Sequence, residues 1–220
     1  MNAPDAPPET GHYDELYFSW QKRIGEFSAR ENKSRFSKYL TKEDVVLDFG
    51  CGGGYLLKEL ECRERIGVDI SPQARNVADQ NGLKTYATTS EVENDSIDVV
   101  LSNNALEHTL HPFQELTEIY KKLKPNGKAV FVVPCESISR KYNKHDLNQH
   151  LYSWSPMCIG NLFTEAGFHL ISISAIYAKF PPFYFQIRKY GGTFLFKLAT
   201  EIFGRLDRTW FQVKVVAEKR

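Results

Sequence analysis

The run Asp48-Phe49-Gly50-Cys51-Gly52-Gly53-Gly54 follows directly on the apolar stretch Val45-Val46-Leu47. Four glycines in five residues, placed just after a buried strand, leave few folds open. The chain must turn sharply there, and a ligand must approach the backbone without meeting a Cβ. Arg65-Ile66-Gly67-Val68-Asp69 reads as a second strand, ending on an acid 21 residues after Asp48. An acid about 20 residues beyond such a loop suits two adjacent ribose hydroxyls. Strand, glycine loop, helix, strand and terminal acid together indicate an adenosine-containing ligand. The dinucleotide fingerprint asks for Gly or Ala three residues after its second glycine; Tyr55 stands there. Asp48, directly on the loop, sits badly beside a pyrophosphate and well beside an ammonium group. A nicotinamide oxidoreductase is disfavoured on both counts.

The remaining chain repeats the same alternation. Ser71-Pro72 supplies an N-cap and a first-turn proline for a helix that Asn81-Gly82 ends. Lys84 to Ala87 and Ser96 to Ser102 read as strands three and four. Pro112 opens a helix with Phe113, Leu116, Ile119, Tyr120 and Leu123 on one face, ended by the turn Lys124-Pro125-Asn126-Gly127. Lys128 to Val133 is strand five, expected to stop at Pro134. Ser155-Pro156 caps a helix whose apolar face is Cys158, Ile159, Leu162, Phe163 and Ala166. Phe168 to Ile176 and Phe211 to Ala217 are strands six and seven. Strands alternating with helices imply a mostly parallel sheet covered on both faces. Ahead of it, Tyr13 to Leu40 carries apolar residues at helical spacing, a helical cap in which Tyr13, Tyr17 and Trp20 could form a lid. Residues 1–12 are expected to be a disordered leader, and residues 13–220 a single domain.

Composition narrows the function. Net charge is +1, so no broad basic field grips a nucleic-acid backbone. No apolar run approaches the roughly 18 residues of a membrane span, and no signal pattern opens the chain. A cytoplasmic protein is expected. Cys51, Cys62, Cys135 and Cys158 match no zinc module and are read as reduced thiols.

The sequence resembles the class I S-adenosylmethionine-dependent methyltransferase superfamily. VLDFGCGGG is similar to its first motif and IGVDIS to its second. SIDVVLSNNALEH is similar to the fourth-strand segment of the branch with ubiquinone-biosynthesis and natural-product methyltransferases. KKLKPNGKAVFVVP, FTEAGF and a late terminal strand complete the pattern. The resemblance implies a Rossmann-like α/β fold with seven strands in the order 3-2-1-4-5-7-6, strand seven antiparallel. It implies S-adenosyl-L-methionine as cofactor, with Asp48, Gly50, Cys51 and Gly52 at its methionine end. Asp69 would hold the ribose, Ile70 would pack on the adenine, Ser90 would lie near the adenine edge, and Asn103 near the methionine portion. Thr89 and Glu91 flank Ser90 at that edge.

Methyl transfer to a hydroxyl needs a base, and ligands in such sheets collect beyond the carboxyl ends of the strands. His108 follows strand four; His145 and His150 follow strand five. His150 and His108 are the candidate catalytic residues. Some relatives bind a divalent ion through Glu-x-x-Glu-His on the loop after strand four. Here Asn104 replaces the first Glu of Asn104-Ala105-Leu106-Glu107-His108, and no metal is expected.

The last clue is an insertion, Lys179 to Trp210, rich in aromatic residues and holding six Lys or Arg against two acids. It reads as an acceptor wall, a homodimer surface, a peripheral membrane contact through residues 180–211, or a small helical subdomain with its own core. The chain also resembles methyltransferases found among bacterial surface-polysaccharide and secondary-metabolite enzymes. A small-molecule or glycan acceptor methylated on oxygen is the leading expectation. A lipid quinone or polyketide acceptor and a non-catalytic cofactor-binding subunit are the alternatives.

Overall fold

The structure, a computed structural model, describes residues 15–144, 146 and 148–220, with side chains from residue 24 onward. Tyr13, His145, the leader and the side chains of Tyr17 and Trp20 lie outside the described residues. Seven strands form one sheet in the order β3-β2-β1-β4-β5-β7-β6. The chain divides between Glu91 and Val92 into two compact units.

In the first unit, helix α1 spans Glu15–Asn32. Strand β1, Val45–Phe49, is buried at every position, which is why it reads as apolar sequence apart from Asp48. It pairs in parallel with β2, Glu64–Val68, from Val45 opposite Glu64 to Phe49 opposite Val68. Strand β3, Lys84–Tyr86, adds to β2 in parallel. Between β1 and β2, α2 is a single turn, Tyr55–Lys58. Between β2 and β3, α3 spans Pro72–Gln80, with Ser71 accepting a hydrogen bond from the Ala74 N–H and Asn81 closing the helix.

In the second unit, β4 (Ile97–Asn103) and β5 (Leu123–Glu136) are parallel. Strand β7 (Trp210–Glu218) runs antiparallel to both β5 and β6 (His169–Ile176). Helices α4 (Pro112–Lys122) and α5 (Pro156–Glu165) pack on this sheet through Leu116, Ile119, Ile159 and Phe163, all fully buried. Phe131 of β5 meets Phe163 edge to face at 5.2 Å. Phe113 and Cys158, expected on the buried faces, are exposed.

Strand β5 departs from the expectation at both ends. Ile97 pairs with Leu123 and Val99 with Lys128, so Lys124–Gly127 bulges out of the ladder instead of separating helix from strand. Asn126 takes the left-handed conformation there, φ +65°. At the other end the strand passes through Pro134 to Glu136. The β4 partner ends where Asn103 meets Val132, so no ladder donor is needed at Pro134 on that side. Its carbonyl accepts the Trp154 N–H instead, at 2.9 Å.

The insertion is mostly helix α6, Tyr184–Leu206, broken at Gly192 (φ +65°, ψ −170°). Its ends are clamped together. Buried Lys179 directs Nζ at Asp207 Oδ2, 3.3 Å away, and lies over the Trp210 ring at 5.1 Å. The helix docks closely. A Cβ at Gly204 would fall 1.4 Å from the Tyr177 carbonyl oxygen. Gly204→Ala should therefore destabilise the fold by about 1–3 kcal/mol, the usual scale of overpacking. Chemical denaturation checks this; an unchanged midpoint would show that α6 is not seated on Tyr177.

Candidate active site

Two clusters of functional groups stand at carboxyl ends of parallel strands, and each lies within one unit. In the first, β1 ends at Phe49 and the glycine loop turns back on β2. The Gly50 and Cys51 N–H groups both donate to the Val68 carbonyl, at 2.8 and 3.1 Å. Gly50 and Gly52 take φ of +72° and +51°, the left-handed region that a side chain disfavours. Asp69 fixes the loop: its Oδ2 accepts the Gly52 N–H at 2.8 Å and its Oδ1 accepts the Ser71 N–H at 2.9 Å. Each carboxylate oxygen has a further lone pair for a ligand hydroxyl. Burial pushes the Asp69 carboxyl up, while the two N–H groups and Arg75 pull it back.

Asp48 is buried at the base of the same loop. Burial, with the Asp69 charge adding, pushes its carboxyl up to about 8. Cys51 turns its side chain inward: a Cβ on Gly67 would lie 2.7 Å from Cys51 Sγ. Burial raises this thiol, and the Cys51 carbonyl accepts the Gly54 N–H at 2.9 Å. Ile70 follows Asp69 and is exposed. Ser90 is exposed and shares a hydrogen bond with Thr88 (Oγ to Oγ1, 2.8 Å). Glu91 accepts the Ala87 N–H at 2.9 Å, so its carboxylate closes a local turn. These groups fit an adenosyl ligand with an ammonium end: acceptors for sugar hydroxyls, an exposed apolar residue beside them, and a buried acid needing a cation.

In the second unit the cluster centres on the loop after β4 and the segment after β5. Asn103 closes β4, and its Oδ1 is buried without a hydrogen-bond partner among the described residues. Glu107 is buried, and neither carboxylate oxygen has a hydrogen-bond partner among the described residues. Burial pushes its carboxyl up to about 8, with the Glu136 charge adding. His150 places Nδ1 3.1 Å from Glu136 Oε1 and Nε2 3.9 Å from Glu107 Oε1. The ring is 14% exposed and meets His108 edge to face at 5.1 Å.

The backbone explains this convergence. The Leu151 and Tyr152 N–H groups donate to the Glu107 carbonyl at 2.9 and 3.2 Å, and the Glu136 N–H donates to Ser153 Oγ at 2.7 Å. With Trp154 held on Pro134, these bonds strap the segment carrying His150 across the ends of β4 and β5. Gln149, just before His150, takes a left-handed φ of +46°.

Donor atoms of Glu107, His108 and His150 lie within 4.8 Å of one another. Asn104 does not extend the set, because its Oδ1 accepts Gln212 Nε2 at 3.0 Å. Glu136 was not singled out by the sequence. The expectation that β5 stops at Pro134 removed it from view.

A model of the methyltransferase domain matches residues 20–173, well over half of the chain. The chain belongs to the methyltransferase domain family. The chain is 30% identical to the ubiquinone biosynthesis O-methyltransferase of Roseobacter denitrificans, over 50% of the chain and 49% of that protein. The chain spans 29–57% of the length of the first three curated relatives it matches. Its fold is that of phosphoethanolamine N-methyltransferase 2 of Haemonchus contortus, solved with S-adenosyl-L-methionine: TM-score 0.70, 18% identity, 96% of this chain and 58% of that one. It is also that of a putative methyltransferase of Haloferax volcanii solved with the Trm112 activator: TM-score 0.67, 18% identity, 98% and 99% covered. The expected strand order, with β7 antiparallel, is the one found.

The methyltransferase family uses S-adenosylmethionine, and Asp69 gives a direct test of where it sits. Asp69→Ala should weaken cofactor binding by about 1–3 kcal/mol, the cost of losing hydrogen bonds to a charged group. Calorimetry reads this; unchanged affinity would remove Asp69 from the ribose site.

Proposed function

We propose that this chain transfers a methyl group from S-adenosylmethionine to a hydroxyl oxygen of a small-molecule or glycan acceptor, with His150 as the base. The observation that carries the reading is the His150–Glu136 contact. A carboxylate at Nδ1 holds the proton on that nitrogen and leaves Nε2 with its lone pair. The imidazolium formed when Nε2 takes a hydroxyl proton shares Glu136 Oε1 as counter-charge with Arg140 Nη1, which lies 2.6 Å from the same oxygen.

The cofactor supplies a methyl group already activated by a positive sulfur. The protein's part is to align the acceptor and remove its proton. Asp48, Gly50, Gly52 and the Cys51 backbone bind the amino-acid end. Asp69, Ile70 and Ser90 bind the nucleoside, and Asn103 offers its unpartnered oxygen to the methionine portion. His108 packs on the His150 ring and holds its orientation. A left-handed Gln149 beside His150 is the kind of local strain that persists where a side chain must be aimed. The net charge of +1 favours an acceptor without a phosphate backbone.

Incubation with methyl-labelled S-adenosylmethionine and fractionated extract of the source cells, followed by mass spectrometry, tests the acceptor class. An O-methyl group on a hydroxylated small molecule or glycan is expected. Label on protein or nucleic acid would overturn the reading. The same assay tests the proton role. A chelator should leave the rate unchanged; a loss restored by magnesium or manganese would give Glu107, His108 and His150 to an ion instead.

A further inference from the structure

Among the described residues, helix α6 leaves an apolar ridge without a partner. After the break at Gly192, its inward face is Phe196, Thr200 and Gly204, all buried. The Thr200 carbonyl accepts the Lys179 N–H at 3.1 Å, and Gly204 rests on Tyr177. The opposite face carries Phe194, Leu198, Ile202 and Leu206, four large apolar residues at a spacing of four. They are 76%, 47%, 51% and 77% exposed. At 1.5 Å rise per residue the ridge is about 18 Å long. Tyr190, before the break, is exposed as well. A contiguous apolar ridge of this size marks a contact surface.

The charges choose the occupant. Helix α6 carries Arg188, Lys189, Lys197 and Arg205 against a single acid, Glu201. A second copy laid face to face would set these cations against each other. An anionic bilayer surface complements them, while the aromatic and aliphatic side chains enter the boundary between headgroups and acyl chains. No described helix is long and apolar enough to cross a membrane, and the break at Gly192 suits a segment lying in the surface plane.

We propose that the Phe194–Leu206 face of α6 docks this methyltransferase on anionic phospholipid membranes. The contact is independent of acceptor identity and places the enzyme where membrane-borne hydroxyl compounds are found.

Flotation of the full chain with vesicles tests this. One set is phosphatidylcholine alone; the other includes ~30 mol% phosphatidylglycerol. Binding is expected to the anionic set and to weaken as salt is raised. Leu198→Glu with Ile202→Glu should reduce it roughly tenfold or more. Lys189→Glu with Lys197→Glu should give a similar loss, reading the charge without touching the ridge. Unchanged calorimetric affinity for S-adenosylhomocysteine and an unchanged unfolding midpoint certify each variant as folded. No flotation with either vesicle set would overturn the proposal. So would equal binding by the ridge variants, or a concentration-dependent dimer that those variants abolish.

Discussion

Replacing His150 by alanine should lower turnover by roughly 10²- to 10⁴-fold, the usual contribution of a general base. Cofactor affinity should stay near that of the unaltered enzyme, because the groups assigned to the cofactor are others. Glu136→Gln should fall between the two. It keeps a hydrogen-bonding group near Nδ1 but removes the counter-charge and admits the wrong tautomer; about a tenfold loss in turnover is expected. Both variants are read by single-turnover kinetics at saturating cofactor, which separates the chemical step from binding. A full rate in His150→Ala would exclude it as the base, and the pairing with Glu136 would then be a structural tie.

The second large effect is on cofactor affinity as a function of pH. Asp48 titrates at about 8 in the ligand-free chain, so at lower pH it must give up a proton before it can meet an ammonium group. The apparent affinity for S-adenosylhomocysteine should fall about tenfold per unit as pH drops below about 8, or about a hundredfold by pH 6. On the alkaline side, loss of the ligand's own α-ammonium proton should also weaken binding. The profile is therefore a peak. Asp48→Asn should flatten the acid limb and leave the alkaline one. The same shift has a stability consequence with a definite sign. A carboxyl whose folded value lies above its unfolded value binds more protons in the folded state. Its contribution therefore declines as pH rises from about 4 to about 8, by about 1.4 kcal/mol per unit. Asp48→Asn should accordingly raise the unfolding midpoint of the ligand-free chain at pH 8 relative to the unaltered chain. A pH-independent affinity in the unaltered chain would show that Asp48 is not the ammonium partner.

Much of this molecule could be read from the order of its residues. Strand β1 is mostly apolar because both of its faces are covered, and three of the four glycines after it occur where the backbone takes left-handed angles. Such local rules carry over directly. The expectations that differed from the structure involved partners distant in sequence. Whether Pro134 ends a strand depends on where β4 stops, and that is a property of pairing, not of proline alone. Because β5 was expected to end there, Glu136 stayed hidden, although its Oε1 stands 3.1 Å from His150 Nδ1. Glu107 shows the same limit. As a letter in Leu-Glu-His it is an ordinary acid; in the structure it is buried, and its backbone carbonyl is held by the N–H groups of Leu151 and Tyr152, more than forty residues on. Cys51 falls between these cases. Its place in the loop was legible, but the inward turn of its thiol depends on the missing side chain of Gly67 across the sheet.

The clamp between Lys179 and Asp207 has a consequence for how such an enzyme can diversify. Both ends of the excursion are pinned at one point beside Trp210. The length and chemistry of what lies between them are therefore largely decoupled from the β6–β7 ladder. A descendant could exchange one excursion for another, and with it the company the enzyme keeps, while the rest of the scaffold goes on folding as before.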